Sequence, residues 1–499
     1  MKKCLCFVAV VFALALAPPA GAQARINPYL EVDKKIMAEV YTSSEPMDNL
    51  KELCDVYGSR FPGLPGDRGA VDYIIEKFKE YGCQNVHAEE LTIAGWTRGP
   101  ATLEIISPIK RSFDVISLPH SIGAEVEGKL VFLGAGAIDS YDTRKAEIEG
   151  NIVMVTSARP AGMTRSLHRS EKYRRSVMAG ATGWIFMNHY PAYGPPTGGI
   201  DPVIPAIGIG YEDGAFLTRL LEREKEVVVR IKTTDRNHDV VTWNVVGDVV
   251  PDNPVDDDYV IVGSHLDGHD ISQGAVDPAS GAVTVMEIAR NLGMVKGKLE
   301  RRVRVITFGA EEIGLNGSYA YVAAHEDELD RCRFMLNLDS AGGAGKKGLA
   351  FHNFPSLEKL AQQWAKDMVA EMPTTQGVGP YSDHWPFFLK SVPSAGGADP
   401  TAVRTGRGYG HTRYDTIDKV EMQYLHLAAA NYTRFLFRVA NEENWNPQRK
   451  TKDEIDNFIK AQGYDQTVAL TDRMKQYIRD NYKDMHPDTV EWLNREGVH

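Results

Sequence analysis

Three short, mainly apolar runs organise the second half of this chain: Tyr259 to Gly263, Val303 to Phe308, interrupted by Arg304 and Thr307, and Phe334 to Leu338, interrupted by Asn337. Each is short enough for a strand, and with apolar residues on both alternating faces reads as a parallel strand buried on both sides. The residues that follow are of another kind: Ser264-His265-Leu266-Asp267, Gly309-Ala310-Glu311-Glu312 and Asp339. Open α/β sheets form ligand crevices at the carboxyl ends of such strands. A fourth segment, Asp277-Pro278-Ala279-Ser280, precedes apolar Val283, Met286, Ala289 and Leu292, a helical stripe ended by Gly293, with Ser280 as its expected N-cap.

The rest of the chain divides by pattern. Residues 45–118 begin with amphipathic helices, as at Val71, Ile74, Ile75 and Phe78, and turn to strands such as Ala101 to Ile106. Between about 120 and 235, Lys129 to Leu133, Asn151 to Val155 and Gly183 to Met187 read as short buried strands separated by turns and one helix. Beyond Asn441 the text is charged, with helix-like phrases at 453–459, 470–477 and 489–493. The expected organisation is a signal peptide at 1–22, a first catalytic part at 23–118, an insert at 119–235, a second catalytic part at 236–440 and a helical appendage at 441–499. The fold class is α/β, a mixed and largely parallel sheet sandwiched by helices, with a β-rich insert.

His265, Asp277, Glu312, Asp339 and His411 are residue types that bind metals, and Glu311 adjoins the third of them. Three carboxylates and a bridging hydroxide balance the charge of two divalent zinc ions, while two imidazoles add neutral ligands. Glu311 is then left over as a base. His411 lies in the glycine-rich loop Gly408-Tyr409-Gly410-His411-Thr412 rather than on an apolar face.

On these motifs the chain resembles the co-catalytic di-zinc exopeptidases, in particular their carboxypeptidase Q-like branch. Gln273-Gly274-Ala275-Val276-Asp277, Glu311-Glu312-Ile313-Gly314-Leu315, Asn337-Leu338-Asp339, Trp96-Thr97-Arg98-Gly99 and Gly58-Ser59-Arg60-Phe61-Pro62-Gly63 carry the likeness, over most of residues 45–440. The resemblance implies one zinc on His265 and Asp339, a second on Glu312 and His411, and Asp277 bridging them. It implies Glu311 as general base and then general acid, and a protease-associated domain as the insert. Asp267, two residues past His265, is expected to hold the imidazole's other nitrogen. Tyr381 and His384, in a segment bordering the family's site, are candidate substrate contacts, with a structural turn as the competing reading. Pro278 and His269 depart from the family pattern.

Ser382-Asp383-His384 does not make a serine triad, because neighbours in sequence cannot converge as one requires, and no G-x-S-x-G elbow is present. The first residues, Met1-Lys2-Lys3, apolar Cys4 to Ala17 and Pro18 to Ala22, read as a signal peptide cleaved before Gln23, so the protein is expected to be exported, periplasmic or secreted. The stretch is too short to span a membrane. Loss of Lys2 and Lys3 takes the formal charge from −11 to about −13, which disfavours nucleic acid. Cys54, Cys83 and Cys332 then remain; a Cys54 to Cys83 bridge and buried thiols are both open.

The function these readings support is a zinc-dependent exopeptidase acting on peptides or dipeptides, aminopeptidase or carboxypeptidase Q-like. The preference for exopeptidase rests on the resemblance alone. A homodimer is left open. Two alternatives are a glutaminyl cyclase-like acyltransferase on the same fold, which would use one zinc, and a non-catalytic receptor-like module.

Overall fold

In the computed structural model the three apolar runs are adjacent central strands, Arg302–Phe308, Tyr259–His265 and Cys332–Asn337, paired in parallel. The structure describes residues 27–401, 408–445 and 447–481. The expected signal peptide and the 489–493 phrase lie outside them. Ser394–Ala398 extends the parallel set, Gly348–Phe351 and Thr374–Gln376 complete one side, and Arg236–Val249 and Gln84–Thr97 pair antiparallel on the other. The result is an eight-stranded mixed sheet flanked by helices, as the fold class required.

Every residue of the strand Tyr259–His265 is buried. Helix Ser280–Met294, buried on nearly all sides, lies under the sheet against helix Met422–Asn441, the arrangement expected of a core helix. Ser280 is not its cap. A wide turn, Ala275–Ala279, precedes the helix, and the Ser280 hydroxyl donates to the Val276 carbonyl at 2.7 Å while accepting from the Ala341 and Gly342 amides at 3.0 and 2.8 Å. The side chain joins the start of this helix to the loop after Asp339. Gly293 lies inside the helix, which runs one residue further.

The first helix, Leu30–Thr42, is tied to the last helix of the sheet domain by a buried ion pair. Arg438 donates to the two Asp33 carboxylate oxygens at 2.8 and 2.7 Å, with only 1 % of its surface exposed. Removing one partner strands a charge away from water, so Asp33→Ala should destabilise the fold by about 3–5 kcal/mol. Thermal unfolding would show it, and an unchanged melting temperature would refute it.

A second eight-stranded sheet is inserted between Gln84–Thr97 and Arg236–Val249. It contains the three runs read as buried strands, in Ala124–Phe132, Ile152–Thr156 and Gly183–Met187, paired in parallel with Ala206–Ile209. Strands Ala101–Ser107, Arg111–Phe113 and Val115–Ser117, expected with the catalytic part, hydrogen-bond into this sheet instead. The insert thus starts near residue 100 rather than 119. A strand's partner is chosen across long sequence distances, here Ala101 opposite Thr233, and the local pattern does not encode it.

Cys54, Cys83 and Cys332 are buried and unbridged, and burial pushes each thiol up to about 12. Among the described residues no helix is long and apolar enough to cross a membrane. After Trp445, which is fully buried, the tail continues as helices Lys452–Ala461 and Asp465–Asn481. The first opens with a capping box between Thr451 and Glu454.

Candidate active site

At the carboxyl ends of the central strands, side chains gather into two groups able to hold a metal ion: His265, Asp277 and Asp339, and beside them His269, Glu312 and His411. Asp277 lies between the groups. One of its oxygens is 3.3 Å from His265 Nε2 and the other 3.4 Å from His411 Nε2. Glu312 Oε2 is 3.4 Å from His411 Nε2 and 2.9 Å from His269 Nε2, and Asp339 Oδ1 is 3.7 Å from His265 Nε2. All five expected ligands are therefore together, in the expected pairs.

His269 is an addition. In the sequence it stands out only as a departure from the family pattern, yet a local signal is present. His269 follows His265 and Asp267 at the same two-residue spacing, and where a chain runs extended alternate residues share a side. Burial, followed by the nearby Arg169, lowers the His269 imidazole to about 3 and so favours the neutral form that binds metals.

Asp267 has a different part from the one expected. The His265 Nδ1 partner is the Asp267 backbone carbonyl at 3.0 Å, while the nearest carboxylate oxygen is 3.7 Å away. The carboxylate instead accepts from the amides of Glu311 and Glu312, at 2.9 and 3.1 Å. It fixes the turn that presents both glutamates.

Other supports come from afar. Asp415 accepts from the Val276 and Asp277 amides at 2.7 and 3.1 Å and braces the bridging residue, whose backbone is extended rather than helical. Ser382 donates to Asp339 Oδ2 at 2.6 Å, and Asn337 donates to Ser382 at the same distance. The fully buried Arg60 donates to the Leu266, Gln273 and Gly274 carbonyls at 2.9, 2.8 and 3.0 Å, clamping the two loops that carry His265 and Asp277. Arg169, from the insert, donates to the Gly199 carbonyl at 3.1 Å and places its guanidinium 3.2 Å from His411 Nδ1. Its close seat requires glycine at 198, where a Cβ would stand 1.9 Å from the guanidinium carbon.

The electrostatics are those of crowded carboxylates. Burial, then Glu312, Asp339 and Asp383, push the Glu311 carboxyl well above its usual range, with His265 opposing. Burial and Asp277 raise Glu312 to about 7. Burial alone would lower His265, but Glu311, Asp267, Asp277 and Asp339 raise it well above its ordinary value.

Glu311 opens into a cavity of about 490 Å³ that also borders Asp277, Glu312, Asp339 and His411. Tyr381 lines it too, stacked on His168 with ring centres 4.2 Å apart. His384 does not. Its Nε2 is 2.9 Å from the Gly379 carbonyl, its ring stacks on His352 at 4.0 Å, and it borders a separate hollow shared with Ser382 and Asp339. Of the insert's basic residues, Arg174 lines the cavity, held by Asp201 at 2.8 and 3.0 Å, whereas Arg175 pairs with Glu171 and His189 meets Ser157.

Residues 244–436 match the model of peptidase family M28, and residues 126–217 match that of the PA domain. Carboxypeptidase Q of Xenopus laevis is 24% identical over 439 residues, covering 85% of this chain and 92% of its own. Aminopeptidase YwaD of Bacillus subtilis (strain 168) is 25% identical over 461 residues, covering 89% and 95%. Among solved structures, a peptidase M28 precursor from Shewanella amazonensis SB2B shares the fold with a TM-score of 0.72 at 24% identity, over 85% of this chain and 99% of that one. The two strand-end clusters thus lie within the segment, residues 244–436, that matches peptidase family M28, and the second sheet contains the segment, residues 126–217, that matches the PA domain.

Proposed function

We propose that the chain is a zinc-dependent exopeptidase that uses two zinc ions and takes Glu311 as its proton carrier. The observation that carries this reading is Asp277, whose two oxygens face histidines of different groups at 3.3 and 3.4 Å. The residues suit the metal. Mixed imidazole and carboxylate donors are zinc ligands, and His265 Nε2 and Glu312 Oε1 are buried without a hydrogen-bond partner, as atoms reserved for a cation would be. His265, Asp277 and Asp339 would hold one ion and Glu312, His411, Asp277 and His269 the other. When bound, zinc lowers the pKa of water to around 7 and polarises a carbonyl.

The protein's own groups supply the remainder. Glu311, turned into the cavity by the Asp267 brace, takes the proton of the attacking water and returns it to the leaving amine. Its raised proton affinity falls once cations neutralise the surrounding carboxylates, which brings it toward the range a neutral-pH base needs. Arg169 supplies a fixed positive charge beside Glu312 and Asp277. The names of the relatives, a carboxypeptidase and an aminopeptidase, favour action near a peptide terminus. Two complete donor groups weigh against a one-zinc cyclase and against a receptor-like module with a lost site.

Export follows from the leader-like residues 1–22, and the mature amino terminus would then be Gln23, which mass spectrometry of the exported protein would establish or refute.

The test is hydrolysis by zinc-loaded protein of an unblocked dipeptide and of an aminoacyl anilide, before and after chelation and after zinc is restored. Chelation should abolish turnover and zinc should restore it. Cleavage of the dipeptide alone would mean that both termini are needed, cleavage of the anilide would mean aminopeptidase action, and activity indifferent to chelation would sink the reading.

A further inference from the structure

The peptidase match ends at residue 436, yet the cavity has walls built from residues beyond it. Helix Lys452–Ala461 packs Ile455 and Ile459 with Leu315, Val378, Trp385 and Phe388 of the sheet domain. Helix Asp465–Asn481 packs elsewhere: Met474 and Ile478 enter the core of the insert with Tyr173, Trp184 and Phe186. Polar contacts fix the same seating. Arg165 of the insert donates to the Gly463 carbonyl at 2.8 Å, and Arg174 donates to the Thr471 hydroxyl at 2.6 Å. On the other side Arg449 donates to the Leu329 and Cys332 carbonyls at 2.6 and 2.8 Å. The tail is a two-helix strap fastened to both units.

Strap residues reach the cavity that holds Glu311. Ile459 and Val468 line it together with Leu315, Tyr319, Trp385 and Leu389, an apolar side, while Thr471, Asp472 and Lys475 add a polar one. Val468 borders this half-open space and keeps 40 % of its surface exposed. An apolar side chain left open beside reactive groups has the character of a binding surface. The volume, about 490 Å³, is at the lower end of the span that holds a drug-sized ligand.

Resting on the peptidase reading above, we propose that the strap is a specificity element. Ile459 and Val468 complete an apolar subsite for a substrate side chain, and the strap, which walls one side of the cavity, limits the length of peptide that the site accepts.

The experiment uses the full zinc-loaded chain and two series of unblocked peptides, leucyl-glycine and aspartyl-glycine oligomers of increasing length. The subsite predicts a leucyl preference of about tenfold or more in kcat/KM, the scale on which apolar pockets discriminate, and a comparable fall once the peptide outgrows the cavity. Ile459 also seats the strap, so Val468 carries the mutational arm. Val468→Asp should erase most of the leucyl preference with the melting temperature unchanged. A flat length profile in the wild type, or a leucyl to aspartyl ratio untouched by Val468→Asp, overturns the strap's role while leaving the peptidase reading in place. Cleavage of no peptide by protein shown to hold zinc overturns both.

Discussion

Glu311→Gln should reduce turnover by roughly 10²–10⁴-fold, the contribution of a positioned general acid–base, while zinc content stays at the wild-type level. The substitution keeps the size of the side chain and removes only its ability to carry a proton. The supports of the turn are untouched, since Asp267 binds the amides of Glu311 and Glu312 and not the Glu311 carboxylate. Both metal groups remain whole, because neither contains Glu311. Kinetics with metal analysis on the same preparation decides the matter. Zinc lost with activity would make Glu311 a ligand, and near-normal turnover would remove it from the chemistry.

Asp277→Ala should have the largest effect on metal binding. The carboxylate faces both histidines, so its removal takes a donor from each group at once, whereas His411→Ala takes one from a single group. Loss of a group that merely orients a ligand costs about 10–100-fold in affinity, and loss of a shared ligand should exceed that for both ions. Titration against a competing chelator would resolve two weakened sites in Asp277→Ala and one weakened with one nearly intact in His411→Ala. Equal behaviour of the two variants would deny Asp277 its bridging place. Turnover should vanish in both.

Four of the five candidate ligands could be picked out from the chain because each lies beside a signal that is local. His265 ends a buried strand, Glu312 and Asp339 lie within four residues of the ends of two more, and Asp277 comes just before a helix with an apolar stripe. Their supports carry no such mark. Asp415 reaches Asp277 across 138 residues, Arg60 reaches Gly274 across 214, and Arg169 reaches His411 across 242. Residues of this kind sit in ordinary polar loops, and only the fold brings them in. Asp267 shows a subtler limit. Its spacing from His265 placed it correctly beside the imidazole, but the backbone carbonyl of the same residue meets the ring and frees the carboxylate for the glutamate turn. Ser280 was misplaced for a related reason, since the wide turn at Ala275–Ala279 is a departure from regular helix that residue preferences do not register.

The pair between Asp33 and Arg438 also bears on how the protein is made. The two residues are 405 apart in sequence, so during synthesis the first helix emerges long before the group that neutralises its buried carboxylate. The edge strand Gln84–Thr97 likewise waits for Arg236–Val249, while the strands of the insert find their partners within a shorter span. Domains that are complete when they leave the ribosome fold as units. The sheet of the insert should therefore form first, between two unfinished halves; the part of its core that Met474 and Ile478 fill waits for the tail, and the outer sheet closes only when the last helix of the sheet domain arrives.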